Sequence, residues 1–154
     1  MQTKVKILSV INCIFLCFSV FLQYEEEIER FKASGGIRTK SHTVELCRLM
    51  MRTNDVASRL VLASLLKGAE KTCRRLFLDY HGLKIMHVWM SELEHLDLKL
   101  IIEDVLAVLA VPNKTMLVDS GVWATVTKWS TQQSNTTTMT AAADADNKAE
   151  HVIT

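Results

Sequence analysis

Apolar and polar positions divide the chain into four blocks. Between Val5 and Leu22, 14 of 18 residues are apolar, and between Gln23 and His42 only 5 of 20 are. From Thr43 to Ser130 the count is 47 of 88, falling to 8 of 24 from Thr131 to Thr154. A dense middle therefore lies between two atypical ends. The blocks predict an apolar leader over 1–23, a charged, glycine-containing linker over 24–42, a helical bundle over 43–130, and a tail over 131–154. The tail is rich in Thr, Ser, Asn, Gln and Ala and offers too little apolar surface to offset the entropy of ordering, so disorder is expected.

Within the middle block the apolar residues recur at helical spacing. Tyr24–Lys32 reads as a short charged helix ended by Ala33-Ser34-Gly35-Gly36. Ser41 is the expected N-cap of the next, which carries Val44, Cys47 and Met51 with Leu46 and Met50. Thr53-Asn54-Asp55 breaks that helix and caps another, with Val56, Leu60, Ala63, Leu62, Leu65 and Leu66 inward and Gly68 as a stop. Cys73, Leu76, Phe77 and Tyr80 stand at i, i+3, i+4 and i+7. Gly82 is the expected left-handed cap residue after them. Leu83, Met86, Met90 and Leu93 continue the pattern, with Ile85 and Trp89 widening the face. Leu98, Ile101, Ile102, Val105, Leu106 and Leu109 form a further helix closed by Pro112. Asn113 caps a short helix through Val118, and Val122, Val126 and Trp129 mark the last. No run alternates with period two. The expected fold is all-α: a small bundle of about six to seven short helices with flexible tails.

Composition narrows the classes. The 154 residues carry a net charge of +1, with 23% charged residues, 5 Gly, 1 Pro and 4 Cys. One domain with a real core fits this length, and the near-neutral charge provides no footprint for direct nucleic-acid binding. Cys47 and Cys73 fall on apolar stripes and read as buried core thiols rather than as a disulfide or metal pair.

The search for chemistry returns little. His81, His87 and His95 are six and eight residues apart, which does not place two ligands on one helical face. They read as structural histidines, His81 at a helix C-terminus beside Gly82. Asp79 with His81 lacks a nucleophile signature, and Gly35-Gly36 is a hinge rather than a phosphate loop. No catalytic, cofactor-binding or metal-binding residue is expected, nor a small-molecule ligand. Arg74 and Arg75 read either as a solvated face, Arg75 pairing with Asp79 at i+4, or as a basic recognition patch beside Tyr80. Asn113-Lys114-Thr115 and Asn135-Thr136-Thr137 match the glycosylation acceptor pattern, which matters only in a secretory protein.

The leader reads three ways. Lys4 and Lys6 before Ile7–Leu22 resemble a secretory signal; the run is somewhat short for a membrane anchor. Third, Cys13–Leu22 is codable by pyrimidine-rich triplets and Gln23 by CAG, so the peptide fits read-through of an intron into its acceptor site. The abrupt change to Tyr24-Glu25-Glu26-Glu27 fits an exon start.

The stretch Cys73-Arg74-Arg75-Leu76-Phe77-Leu78-Asp79-Tyr80-His81-Gly82-Leu83 closely resembles a segment of the histone-lysine methyltransferases that modify histone H3 during transcription elongation, C-terminal to their catalytic SET domain. Ala33–Lys40, Leu49-Met50-Met51-Arg52, Trp89-Met90 and Pro112–Trp129 resemble further pieces, so the likeness covers about Glu25 to Ser130. It begins just after Gln23, which favours the intron reading. In helix pattern alone, Val111–Trp129 is similar to the end of the N-terminal domain of elongation factor TFIIS, a bundle that binds short linear motifs. The SET domain's own motifs have no counterpart, so no methyltransferase residue carries over. The resemblance implies a nuclear, non-catalytic interaction module, a fragment without its SET domain. Its partners would be chromatin or elongation proteins, with Arg74, Arg75, Tyr80, His81 and Trp89 as contact residues and no membrane association if the leader is an artefact. The alternative is a small secreted or membrane-anchored helical protein.

Overall fold

The computed structural model describes residues 2–92 and 95–132. Among these the chain is wholly α-helical, without a strand. In chain order the helices are α1 (Gln2–Ala33), α2 (Lys40–Arg52), α3 (Val56–Lys67), α4 (Lys71–Asp79), α5 (Gly82–Ser91), α6 (Leu96–Leu109), α7 (Lys114–Asp119) and α8, over residues 122–132. The all-α expectation holds, but one helix is not short. The compositional boundary at Gln23 is no structural boundary, since the 32-residue α1 runs through it. Neither glycine nor proline interrupts the chain before Gly35, so nothing in the backbone stops the helix. The expected tail from 133 onward, Asn135 and Leu93 lie outside the described residues.

Side-chain and backbone groups at the helix ends account for the boundaries. The N-cap of α2 is Thr39 rather than Ser41: its Oγ1 accepts from the His42 N–H at 3.2 Å. Asp55 caps α3 as expected, accepting from the Ser58 N–H at 2.8 Å, and Asn113 caps α7 by accepting from the Met116 N–H at 2.9 Å. Asp55 is pushed up by partial burial, but the hydrogen bonds from Ser58 outweigh that and hold its carboxyl below the usual range.

Helices α3 and α6 pack along one another, and α2 crosses α3, α4 and α5. Leu46, Leu62, Phe77, Ile102 and Val105 are fully enclosed at the centre. Met51, expected inward, is 64% exposed, because α2 turns Leu49 and Met50 to the core instead. Residues 24–42 are more than a linker: Ile28, Phe31 and Ile37 are buried, and the Glu70 N–H donates to the Ile37 carbonyl at 3.1 Å. The Phe31 ring meets His42 edge-on, and Tyr24 Oη donates to the Ser58 carbonyl at 3.3 Å. The earlier part of α1 leaves the bundle, with Ile14, Phe15, Phe18 and Phe21 all more than half exposed. No helix carries a run of described residues long and apolar enough to cross a membrane.

The turn from α4 to α5 departs from expectation in an instructive way. The left-handed residue is His81 (φ 59°, ψ 30°), not Gly82. Gly82 already belongs to α5, and its missing side chain serves packing: a Cβ there would overlap the Phe77 ring. Cys47 and Cys73 are buried and unbridged, and burial pushes the Cys47 thiol up to about 11.

Two outcomes follow for stability. Gly82→Ala should cost about 2–4 kcal/mol, because Phe77 has to leave its site. His81→Gly should instead add about 1 kcal/mol by relieving the left-handed strain; chemical denaturation of both variants checks this. Asp55→Ala should cost about 1 kcal/mol near neutrality. Because the folded pKa of Asp55 is depressed, that stabilisation is complete above its unfolded value of about 3.9 and fades as acid carries the carboxyl through its folded value. Asp55→Asn should keep the cap and lose this acid dependence, read as denaturation midpoints between pH 7 and 3.

Candidate functional site

The surface that gathers most of the sequence-derived candidates lies between α4 and the corner joining α6 to α7. Pro112 prevents α6 from continuing, and Ala110 ends it in the left-handed region at φ 48°. The Asn113 cap then starts α7, which brings Met116 back toward α4. Between them is a depression of about 200 Å³. Leu78, Val108, Leu109, Pro112 and Met116 supply its apolar lining, and Lys71, Arg74 and Arg75 its cationic side, with Asp79 as the one carboxylate. A second depression of about 330 Å³ shares Leu78, Asp79 and Met116 and continues past His81 and Lys84 to Asp119.

The helical period explains the arrangement. Cys73, Phe77 and Leu78 turn inward on α4, which leaves Lys71, Arg74 and Arg75 along its outer flank. Arg74 is half-buried, holds the Lys67 carbonyl only through a long Nη1 contact of 3.4 Å, and has a buried Nε with no acceptor among the described residues. Arg75 is exposed and makes no ion pair among the described residues, so the expected i+4 pair with Asp79 does not form. His81 lies on the rim of the second depression, exposed, its backbone N–H donating to the Leu78 carbonyl at 3.0 Å.

Two candidates are placed elsewhere. Tyr80 is 37% exposed at the C-cap of α4 but lines neither depression. Trp89 is buried at 2% exposure, beneath the Arg59 guanidinium at 5.4 Å from its ring centroid. Arg59 is itself buried, donating to Glu92 at 2.8 Å and to the Thr53 carbonyl at 3.2 Å. Trp89 is thus a core residue away from the α4 surface, though it contributes to the lining of a separate depression of about 280 Å³ with Met51, Arg59, Lys84 and Glu92. The histidines are dispersed: His87 packs against Gly121 and Thr125, and His95 occupies the N-cap position of α6 without a side-chain cap hydrogen bond. Among the described residues no three His, Cys, Asp or Glu side chains converge on a metal position.

Sequence reasoning missed Lys71, Leu78, Val108 and Met116. Leu78 was hidden because a stripe drawn through Cys73, Phe77 and Tyr80 leaves it off-face. For Val108 and Met116 the signal was Pro112-Asn113, which forces a corner between two helices, but not which helix that corner meets.

Core and surface candidates separate by stability. Trp89→Ala should cost about 3–5 kcal/mol, whereas Arg75→Ala and Tyr80→Ser should stay within about 0.5–1 kcal/mol of the parent. Urea denaturation measures both, and a small loss at Trp89 would contradict its place in the core.

No protein-family model matches the chain. It is 38% identical over 116 residues to the histone-lysine N-methyltransferase Set2 of Drosophila melanogaster, which covers 73% of this chain and 5% of that protein. It is 31% identical over 111 residues to histone-lysine N-methyltransferase SETD2 of Mus musculus and of Homo sapiens, covering 68% of this chain and 4% of each. The chain therefore spans about a twentieth of the length of these relatives. Over about 70% of its length it is homologous to a segment of the Set2/SETD2 histone-lysine methyltransferases.

Proposed function

We propose that the chain is a non-catalytic helical interaction module of chromatin and transcription, corresponding to a segment that lies outside the SET domain of a methyltransferase of this kind. The observation that carries the reading is the surface between α4 and the α6–α7 corner. There, cations without ion-pair partners among the described residues border an apolar floor on an otherwise well-packed bundle. Charged groups beside desolvated apolar surface are the usual makings of a protein-recognition site. The small matched fraction of Set2 and SETD2 supports a role apart from methyl transfer, because the activity in their names needs far more chain than this segment supplies.

Helix grooves of this kind take up partner segments through a few apolar anchors, with charge fixing the register. In this role Arg74, Arg75 and His81 meet the partner, Tyr80 stands at the margin, and Trp89 with Arg59 holds the frame. The compartment is the nucleus, with partners drawn from chromatin and elongation proteins.

Proximity labelling from a C-terminal fusion tests this. The parent chain should label chromatin and transcription-elongation proteins in the nucleus, and the double variant Arg74→Glu, Arg75→Glu should lose most of that labelling. The same protein should carry no sugar on Asn113 and show no micromolar binding of S-adenosylmethionine by calorimetry. Equal labelling by both chains, or a glycosylated secreted product, would overturn the proposal.

A further inference from the structure

We infer that the 200 Å³ depression between α4 and the α6–α7 corner receives a short linear peptide bearing a carboxylate next to an apolar side chain. This deepens the interaction role proposed above and rests on it. Three properties of the depression select that ligand.

The first is unspent charge. Several basic side chains of the bundle are matched: Lys67 with Asp104 at 2.7 Å, Arg59 with Glu92 at 2.8 Å, and Arg52 with Glu27 and Arg30 with Glu45 at longer range. Others such as Arg48 and Lys84 make no ion pair among the described residues; what sets α4 apart is that its cations converge. Lys71, Arg74 and Arg75 make no ion pair among the described residues, yet all three border one depression. Three cations face a single carboxylate, Asp79, so the site favours an anionic guest.

The second is the state of Arg74. Its Nε is shut away from water without an acceptor, a condition that costs free energy in the free protein. The guanidinium is restrained only by the 3.4 Å contact from Nη1 to the Lys67 carbonyl. Turning it toward a carboxylate gives Nε and an Nη a bidentate partner, the geometry for which the arginine fork is suited. The free state therefore holds an unsatisfied donor that an acidic side chain satisfies.

The third is size and lining. Pockets for drug-sized molecules usually exceed about 300 Å³, whereas about 200 Å³ matches one or two side chains. The floor of Leu78, Val108 and Met116 offers an apolar seat for one of them. No aromatic side chain lines the depression to stack a base, and Asp79 opposes a run of phosphates, which sets nucleic acid aside. With Asp79 beside the Met116 end shared with the second depression, the guest's carboxylate lies on Arg74, flanked by Lys71 and Arg75, and its apolar residue lies toward Met116.

The test uses the full 154-residue chain and three fluorescein-labelled peptides about a dozen residues long. One interleaves glutamate with leucine and phenylalanine; in the second every glutamate is glutamine, and in the third every apolar residue is serine. In fluorescence polarisation the first should bind at least about tenfold more tightly than either control, one charge-assisted hydrogen bond being enough for that factor. Arg74→Lys, which keeps the charge but removes Nε, should weaken binding about tenfold, and Arg75→Glu should weaken it further. Circular dichroism establishes that both variants fold. On titration the Arg74 Nε–H resonance and the Met116 methyl should shift together. Equal binding of the glutamine peptide, indifference to both arginine variants, or tighter binding of a DNA duplex would overturn the inference. Absence of binding by all three peptides would also overturn it while leaving the proximity-labelling result, and the chromatin role it tests, to stand separately.

Discussion

The contact between Phe77 and Gly82 sets the geometry on which the rest of the bundle depends. Phe77 is fully enclosed, and its ring occupies the space that any side chain at position 82 would need. Backbone and ring approach so closely because α4 ends at Asp79, His81 swings into the left-handed region, and α5 begins at once with Gly82. A left-handed non-glycine residue costs free energy. The burial of Phe77, Leu83 and Met86 around it offsets that cost. The direction of α4 relative to α5 follows from this corner, and with it the flank on which Lys71, Arg74 and Arg75 stand.

A second constraint comes from Arg59, the one cation buried among the described residues. Arg59 joins three parts of the chain that are far apart in sequence: α3 which carries it, the Thr53 carbonyl after α2, and Glu92 at the end of α5. Trp89 lies beneath it. Removing a charge from water is costly unless partners are well placed, so this cluster specifies one arrangement of α2, α3 and α5. The contrast with α4 is informative. Where the fold needs a cation it supplies an acceptor; along the outer flank of α4 it leaves cations without ion pairs and one guanidinium nitrogen without an acceptor. A buried donor without an acceptor is rare in a folded protein, and it is the observation on which the proposed interaction role draws.

The homologous relatives give that surface a setting. Set2 and SETD2 are named as histone-lysine N-methyltransferases, and the segment shared with this chain is a small fraction of each. The interaction role proposed above rests on the compact core and the cationic, apolar-floored depression. The exposed apolar length of α1 stands apart: its last turns dock through Ile28 and Phe31, while Ile7, Ile11, Ile14, Phe15, Phe18 and Phe21 are more than half exposed.

The sequence by itself determined the all-α class, most helix limits, the caps Asp55 and Asn113, and the core thiols, because caps and apolar periodicity act within a few residues of the chain. It also carried the likeness from which Arg74, Arg75, Tyr80, His81 and Trp89 were expected as contact residues, but not where each would lie. It did not reveal that Thr39 rather than Ser41 begins α2, since both are good caps and it is Thr39 whose Oγ1 meets the His42 N–H in the folded chain. Nor could it separate Trp89 from Tyr80, two aromatics on apolar stripes, until α5 was seen to lie inside under Arg59 and Tyr80 to fall at the exposed end of α4. Ile28, Phe31 and Ile37 were masked by the charges around them and are core because of tertiary packing, Phe31 against His42 of α2 and Ile37 beside Glu70 at the start of α4. The depression itself was decided entirely by tertiary structure: Arg74 and Met116 are brought together by packing across the α6–α7 corner, and no local pattern encodes which helix a corner will face.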